Sequence, residues 1–394
     1  MAATHPATPA PAGDPKELDS ELGNVVRADD FQLSELDPAR GPYHIINTAL
    51  NVPGSRFANR RGRNADFFIF SKCFIGSEIT GYIETCQAEK VVDGLNLGTA
   101  VAISGAAAAP NMGRASIRPL SATIALLNVR LGRWVRHPHD IANTYAKLPK
   151  EAREAKGKDN GVWALYRAPG PKYLLQEALF KSGRNVTVQG ELADKSDEQL
   201  GFVFLTDGGH IENLGIYELL RRRCRLIIAI DGEADPNIEG PSLTQLERFA
   251  RIDHNISLRM QWKPIGEITR AVSSSTAREP KHGPHVALGL VDYPPLAGGS
   301  ERETGVLVYI KASLSGDEND YVMAYNAQHK TFPHETTADQ LFSEEQFEVY
   351  RALGEHIAIG FVTGRDTVSV DPTHKKMLVR MVKDTLDIWD PLPT

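Results

Sequence analysis

Cysteine is scarce: Cys73, Cys86 and Cys224 are the only three in 394 residues. So few cannot form a disulfide framework, which excludes the small stapled secreted domains and fits a reducing compartment. Long apolar runs are also missing. A membrane-spanning helix needs roughly 18 apolar residues, and the longest candidate, from Thr99 to Pro110, is short and made largely of alanine and glycine. The start of the chain has no basic segment followed by an apolar core, so no secretory signal is expected. Charge of one sign is not in excess. A net charge of −6 and a pI near 6.1 give no overall pull toward nucleic acid or anionic lipid. No Gly-x-Gly-x-x-Gly loop precedes Asp231, which argues against a dinucleotide site, and no Asp-x-Asp-x-Asp-Gly loop points to calcium.

What is present is enough apolar material for a full core, 41% of residues, in a chain long enough for one large or two ordinary domains. Residues 1–40 are rich in proline, alanine and acidic groups and are expected to be a disordered tail; an α/β domain is expected from 41 to 394. Strands are expected at 44–50, 65–70, 201–205, 226–230, 257–262, 285–291 and 305–311. Helices are expected at 120–135, 173–181, 213–224, 243–252, 343–353 and 375–386. The charged stretch 147–161 reads as an exposed insertion. Basic clusters around Arg60 to Arg63 and Arg221 to Arg225 read as solvated loops and helix ends rather than phosphate sites.

The most informative stretch runs from Leu205 to Asp231. A short apolar run ends at Asp207-Gly-Gly, two glycines free to take positive φ, and a helical pattern with Leu214, Tyr217 and Leu220 follows. Leu226 to Ile230 then reads as a second buried strand ending at Asp231. Strand, turn, helix and strand compose a βαβ unit, and ligands of open α/β sheets bind beyond the carboxyl ends of the strands. Asp207, the Gly208 and Gly209 amides, His210 and Asp231 are expected to gather there. The same Asp-Gly-Gly also fits an ordinary turn.

Asp207-Gly-Gly-His-Ile-Glu-Asn-Leu-Gly, with its following helix and strand, resembles the aspartate block of the patatin-like phospholipases, which are related to the cytosolic phospholipases. Further segments resemble large bacterial members: Tyr43-His-Ile-Ile-Asn-Thr-Ala-Leu-Asn51, Leu97-Gly-Thr-Ala-Val-Ala-Ile-Ser-Gly-Ala-Ala-Ala-Ala-Pro-Asn-Met-Gly113, Leu127-Asn-Val-Arg-Leu-Gly132 and Phe332-Pro-His-Glu-Thr-Thr-Ala-Asp-Gln-Leu-Phe342. The resemblance implies a patatin-like α/β fold, a partly parallel sheet covered by helices. It also implies lipid acyl ester hydrolysis by a Ser-Asp dyad, with Asp207 activating a serine, and Gly208, Gly209, His210 and Asn213 supporting the turn and the oxyanion side. Substrates would be phospholipids or other lipid esters, with peripheral membrane contact. Location would be cytoplasmic, with membrane attachment through an upstream region as in the large relatives.

The family's oxyanion loop, Gly-Gly-Gly-x-Arg-Gly, and its Gly-x-Ser-x-Gly elbow do not occur in the sequence. Ser104, in Ala102-Ile-Ser-Gly-Ala106, is the nearest nucleophile candidate, with alanine at both elbow glycines. Alternatively, Ser-Gly-Ala-Ala-Ala-Ala-Pro matches a later family landmark, which it fits better, and Ser104 is then structural. On that reading this chain is the later part of a patatin-like domain and is inactive alone. The alternative function is a non-catalytic lipid-binding or scaffolding part of a larger protein. No cofactor, metal or nucleic-acid partner is expected. His137-Pro-His139, His282-Gly-Pro-His285 and the set His329, His334, Glu335 and Asp339 lack the spacing of a known metal site, and proline in two of them suggests loops. His210 could serve instead as base in a Ser-His-Asp arrangement, which the dyad makes unnecessary.

Overall fold

The computed structural model describes residues 31–39, 41–52, 63, 65–106, 132–154, 201–274, 283–336, 341–363 and 367–369. The expected helices at 173–181 and 375–386, the tail 1–30, most of 120–135, and residues 155–161 of the expected insertion lie outside them. The chain divides into two compact units, Met1–Ile211 and Glu212–Thr394.

The first unit is built on a six-stranded sheet of order β4-β3-β2-β1-β6-β5. Its strands are β1 (Ile45–Asn51), β2 (Ala65–Ser71), β3 (Phe74–Ser77), β4 (Gly81–Glu84), β5 (Arg133–Arg136) and β6 (Phe202–Asp207). Every neighbouring pair is antiparallel. β2 is buried along its whole length because Phe67, Phe68, Ile69 and Phe70 fill both faces, the signature of a strand covered on two sides. Helices α1 (Thr85–Val91) and α2 (Leu97–Ser104) follow the β3-β4 hairpin. Asn96 starts α2 by accepting the Thr99 amide at 2.7 Å, the usual N-cap bond. Ala100 and Ile103 of α2 join Phe68, Phe70, Leu50 and Leu205 in one core. Leu33 belongs to the same core, and Ser34 bonds Glu89, so order begins within the segment expected to be a disordered tail.

Two further expectations do not hold. Residues 133–135 were expected at the end of a helix but form β5, where Trp134 packs on Phe204 at 5.1 Å. His137-Pro-His139 is not a loop: Pro138 opens helix α3 (Pro138–Lys147), because proline at the first helical position loses no hydrogen bond. The exposed helix α4 (Lys150–Glu154) lies in the stretch expected to be an insertion.

The second unit holds the strands β7 (Leu226–Asp231), β8 (Ser257–Arg259), β9 (Val286–Tyr293), β10 (Glu303–Lys311) and β11 (Thr367–Ser369). Its sheet runs β11-β9-β10-β7, with β8 also on β9. β7 and β10 are parallel, as are β11 and β9, while β9 is antiparallel to β10 and to β8. Its helices are α5 (Tyr217–Arg221), α6 (Pro241–His254), α7 (Lys263–Ser274), α8 (Asp320–Gln328) and α9 (Glu344–Thr363). Proline at the first position starts α6, and Asn255 in the left-handed region stops it. α9 runs past the expected end at 353.

The fold is thus α/β, with a wholly antiparallel sheet and a mixed one. The expected βαβ unit does not form, since β6 and β7 belong to different sheets. Both edges of β6 are already taken, by β1 and β5. The connecting helix α5 has five residues, about 7.5 Å of rise, too short to carry the chain back along a strand. β7 was expected to be covered on both faces, yet only Ile227, Ala229 and Asp231 are buried, while Ile228 and Ile230 are exposed on this edge strand. Among the described residues no helix is long and apolar enough to cross a membrane.

His137 caps α3 by accepting the His139 amide on Nδ1 at 3.2 Å. Burial, with His139 close by, lowers its pKa from 6.5 to about 4. The cap needs an unprotonated Nδ1, and the unfolded chain binds the proton more readily. The stability it contributes is therefore fully present above pH 6.5 and is lost as pH falls toward 4. Urea unfolding at both ends of that window should show His137→Asn, a cap that does not titrate, losing up to about 3 kcal/mol less on acidification than the native chain.

Candidate functional site

β6 carries Asp207 to the end of the first unit's sheet, where its register partner on β1 is Thr48. The chain then turns through one 3-10 turn, Gly208–His210. Asp207 Oδ1 accepts the Gly209 amide at 2.7 Å, which fixes the half-buried carboxylate over the turn. Neither glycine takes positive φ, contrary to the expectation from the sequence. Glycine is needed at 208 for a different reason: a Cβ there would lie 2.7 Å from the Asn47 carbonyl oxygen.

The same carbonyl accepts the Ser104 hydroxyl at 2.8 Å. The Asp207 amide also reaches Ala106 O, two residues beyond Ser104, at 3.4 Å. Ser104 and the Asp207 turn, 103 residues apart in sequence, thus converge on one peptide of β1. Ser104 does not sit on a nucleophile elbow. An elbow serine follows a strand and opens a helix, whereas Ser104 is the last residue of α2.

Asn47 is the participant that sequence reasoning missed. Its side-chain Oδ1 is buried and accepts no hydrogen bond among the described residues. The available signal was asparagine inside an apolar strand, where that residue is disfavoured. His210 places Nδ1 3.0 Å from the Thr206 hydroxyl, which also takes the Asn51 amide at 3.0 Å. The Gly209 amide is engaged by Asp207 itself, so it is not a free oxyanion donor. Asn213 belongs to the second unit, where its amide donates to Glu233 at 3.1 Å.

Asp231 likewise belongs to the second unit, at the carboxyl end of β7 beside its register partner Lys311 on β10. Their side chains pair at 3.0 Å, each only 1% exposed. Tyr309 donates to the other carboxylate oxygen, and the Glu233 amide donates to Oδ1 at 2.9 Å. Lys311 also donates to Glu233 O at 3.2 Å. Burial, then the Asp231 charge, pushes the Tyr309 phenol far above its ordinary pKa, so it stays a donor. His334 lies next to this group, with Nδ1 3.4 Å from Glu233 O and a buried Nε2 that has no hydrogen-bond partner among the described residues. Burial and the Lys311 ammonium lower its pKa, which keeps it neutral. Of the basic cluster, Arg221 and Arg222 pair with Glu218, and Arg223 pairs with Glu303, a structural use of those charges.

No known family, no curated protein and no solved structure matches this chain. The chemistry of the site therefore rests on its own geometry.

Two outcomes are expected. Gly208→Ala should destabilise the first unit by on the order of 1–3 kcal/mol in urea unfolding, because both atoms in the clash are held by backbone. Lys311→Met leaves the Asp231 charge buried and should cost about 3–5 kcal/mol, whereas adding Asp231→Asn should cost far less than the sum of the two single changes.

Proposed function

We propose that the chain is a lipid acyl ester hydrolase of the patatin-like type, with Asp207 as the acid of a Ser-Asp dyad and Ser104 as its nucleophile. The observation that carries this reading is the convergence of the Ser104 hydroxyl and the Asp207 turn on the Asn47 peptide. In the reaction the Ser104 hydroxyl leaves the Asn47 carbonyl, gives its proton to Asp207 and attacks the ester carbonyl carbon. The alcohol departs with that proton, and water then releases the fatty acid from the acyl-serine. Asp207 Oδ2 has no partner among the described residues and is the oxygen available to take the proton. Substrates of this class are phospholipids and other lipid esters, met by peripheral contact with a lipid surface.

A second reading has its own support. Ser104 is bonded to a backbone carbonyl, and the Gly209 amide is spent on Asp207. A lipid-binding or scaffolding protein without turnover needs no more than that, since loss of oxyanion donors alone costs on the order of 100-fold in rate.

Hydrolysis of a short-chain p-nitrophenyl ester and of a labelled phospholipid separates the two. Catalysis predicts turnover by the native chain and a loss of roughly 1,000-fold or more in both Ser104→Ala and Asp207→Asn. A folded native chain without turnover, or variants as active as the native chain, would rule the dyad out.

A further inference from the structure

A second cluster lies in the second unit, apart from the ion pair at the end of β7. His285 immediately precedes β9, Glu318 lies between β10 and α8, and His356 is on α9. One ligand atom from each lies within 4.8 Å of the others. His285 is fully buried and Glu318 nearly so, while His356 is partly open to solvent.

His285 Nδ1 lies 2.7 Å from the Ser313 hydroxyl, which donates to Lys311 O at 2.9 Å, and Nε2 lies 2.9 Å from the Ser315 hydroxyl. Ser315 donates to Asp317 Oδ1 and to Glu318 Oε1, the latter at 3.2 Å. His356 Nε2 is buried without a hydrogen bond among the described residues, 3.4 Å from Asp317 Oδ1. Glu318 is oriented by the Ser315 and Gly316 amides at 2.6 and 2.8 Å, the outer bonds that typically hold a ligating carboxylate.

We propose that the second unit binds a divalent first-row transition ion of the zinc type through His285 Nε2, His356 Nε2 and a Glu318 carboxylate oxygen, with Asp317 as the adjacent fourth donor. Two imidazoles with carboxylates suit zinc, whereas calcium takes oxygen donors only. Donors about 2.1 Å from a tetrahedral ion lie roughly 3.4 Å apart, so small side-chain rotations close the set. The bound ion ties β9, the turn before α8 and α9 together.

The test is zinc titration of the full chain after chelator treatment, followed by calorimetry and thermal unfolding, beside His356→Ala and Glu318→Gln. Zinc should bind the native chain and raise its Tm, and His356→Ala should weaken that binding by roughly 100-fold with an unchanged circular dichroism spectrum. Absence of a zinc-dependent rise in Tm, or equal affinity in His356→Ala, would overturn the proposal. If either variant misfolds, carbethoxylation of the native chain decides. Zinc should protect His356 from the reagent, and unchanged reactivity of His356 would count against the site.

Discussion

The carbonyl of Asn47 is the constraint on which the first unit's site depends. It accepts the Ser104 hydroxyl, and Gly208 packs against it at a distance no side chain tolerates. The antiparallel pairing of β1 with β6 brings Asp207 opposite Thr48, and the end of α2 is held there by Ser104. A serine and a carboxylate far apart in sequence thereby share one small region of the sheet. The chemistry proposed for the chain follows from that convergence.

The second unit is organised around a different pair. Lys311 and Asp231 close the two parallel strands β7 and β10 at the same level, out of contact with water. Removing two charges from water is costly, and the Tyr309 hydroxyl, the Glu233 amide and the Glu233 carbonyl complete the hydrogen bonding that makes the pair tolerable. The His285 cluster is assembled differently, from the start of a strand, a turn and a long helix.

Local patterns in the sequence carried much of the fold. Apolar runs marked β1, β2, β6, β9 and β10, and the helix expected at 243–252 falls within α6. Pairing was not legible. Nothing local tells β6 to take β1 and β5 on its edges instead of a parallel neighbour, and the resemblance to an α/β family favoured the parallel arrangement. Asp207 and Ser104 stood out by residue type and context; Ser104 bonds the Asn47 carbonyl, and Gly208, next to Asp207, packs against it. Asn47 itself did not stand out, because its role depends on a close approach that only the folded chain creates. The glycine at 208 was noticed for the wrong property, conformational freedom rather than lack of a side chain. His285, Glu318 and His356 are too far apart in sequence for any spacing rule to join them.

The most direct measurement of the proposed Ser104–Asp207 dyad is covalent labelling with a fluorophosphonate, which reacts with an activated serine, followed by mass spectrometry of the labelled peptide. An adduct on Ser104 that disappears in Asp207→Asn is the predicted result. An unlabelled Ser104 in the folded native chain, or labelling that persists without the Asp207 carboxylate, would contradict the dyad.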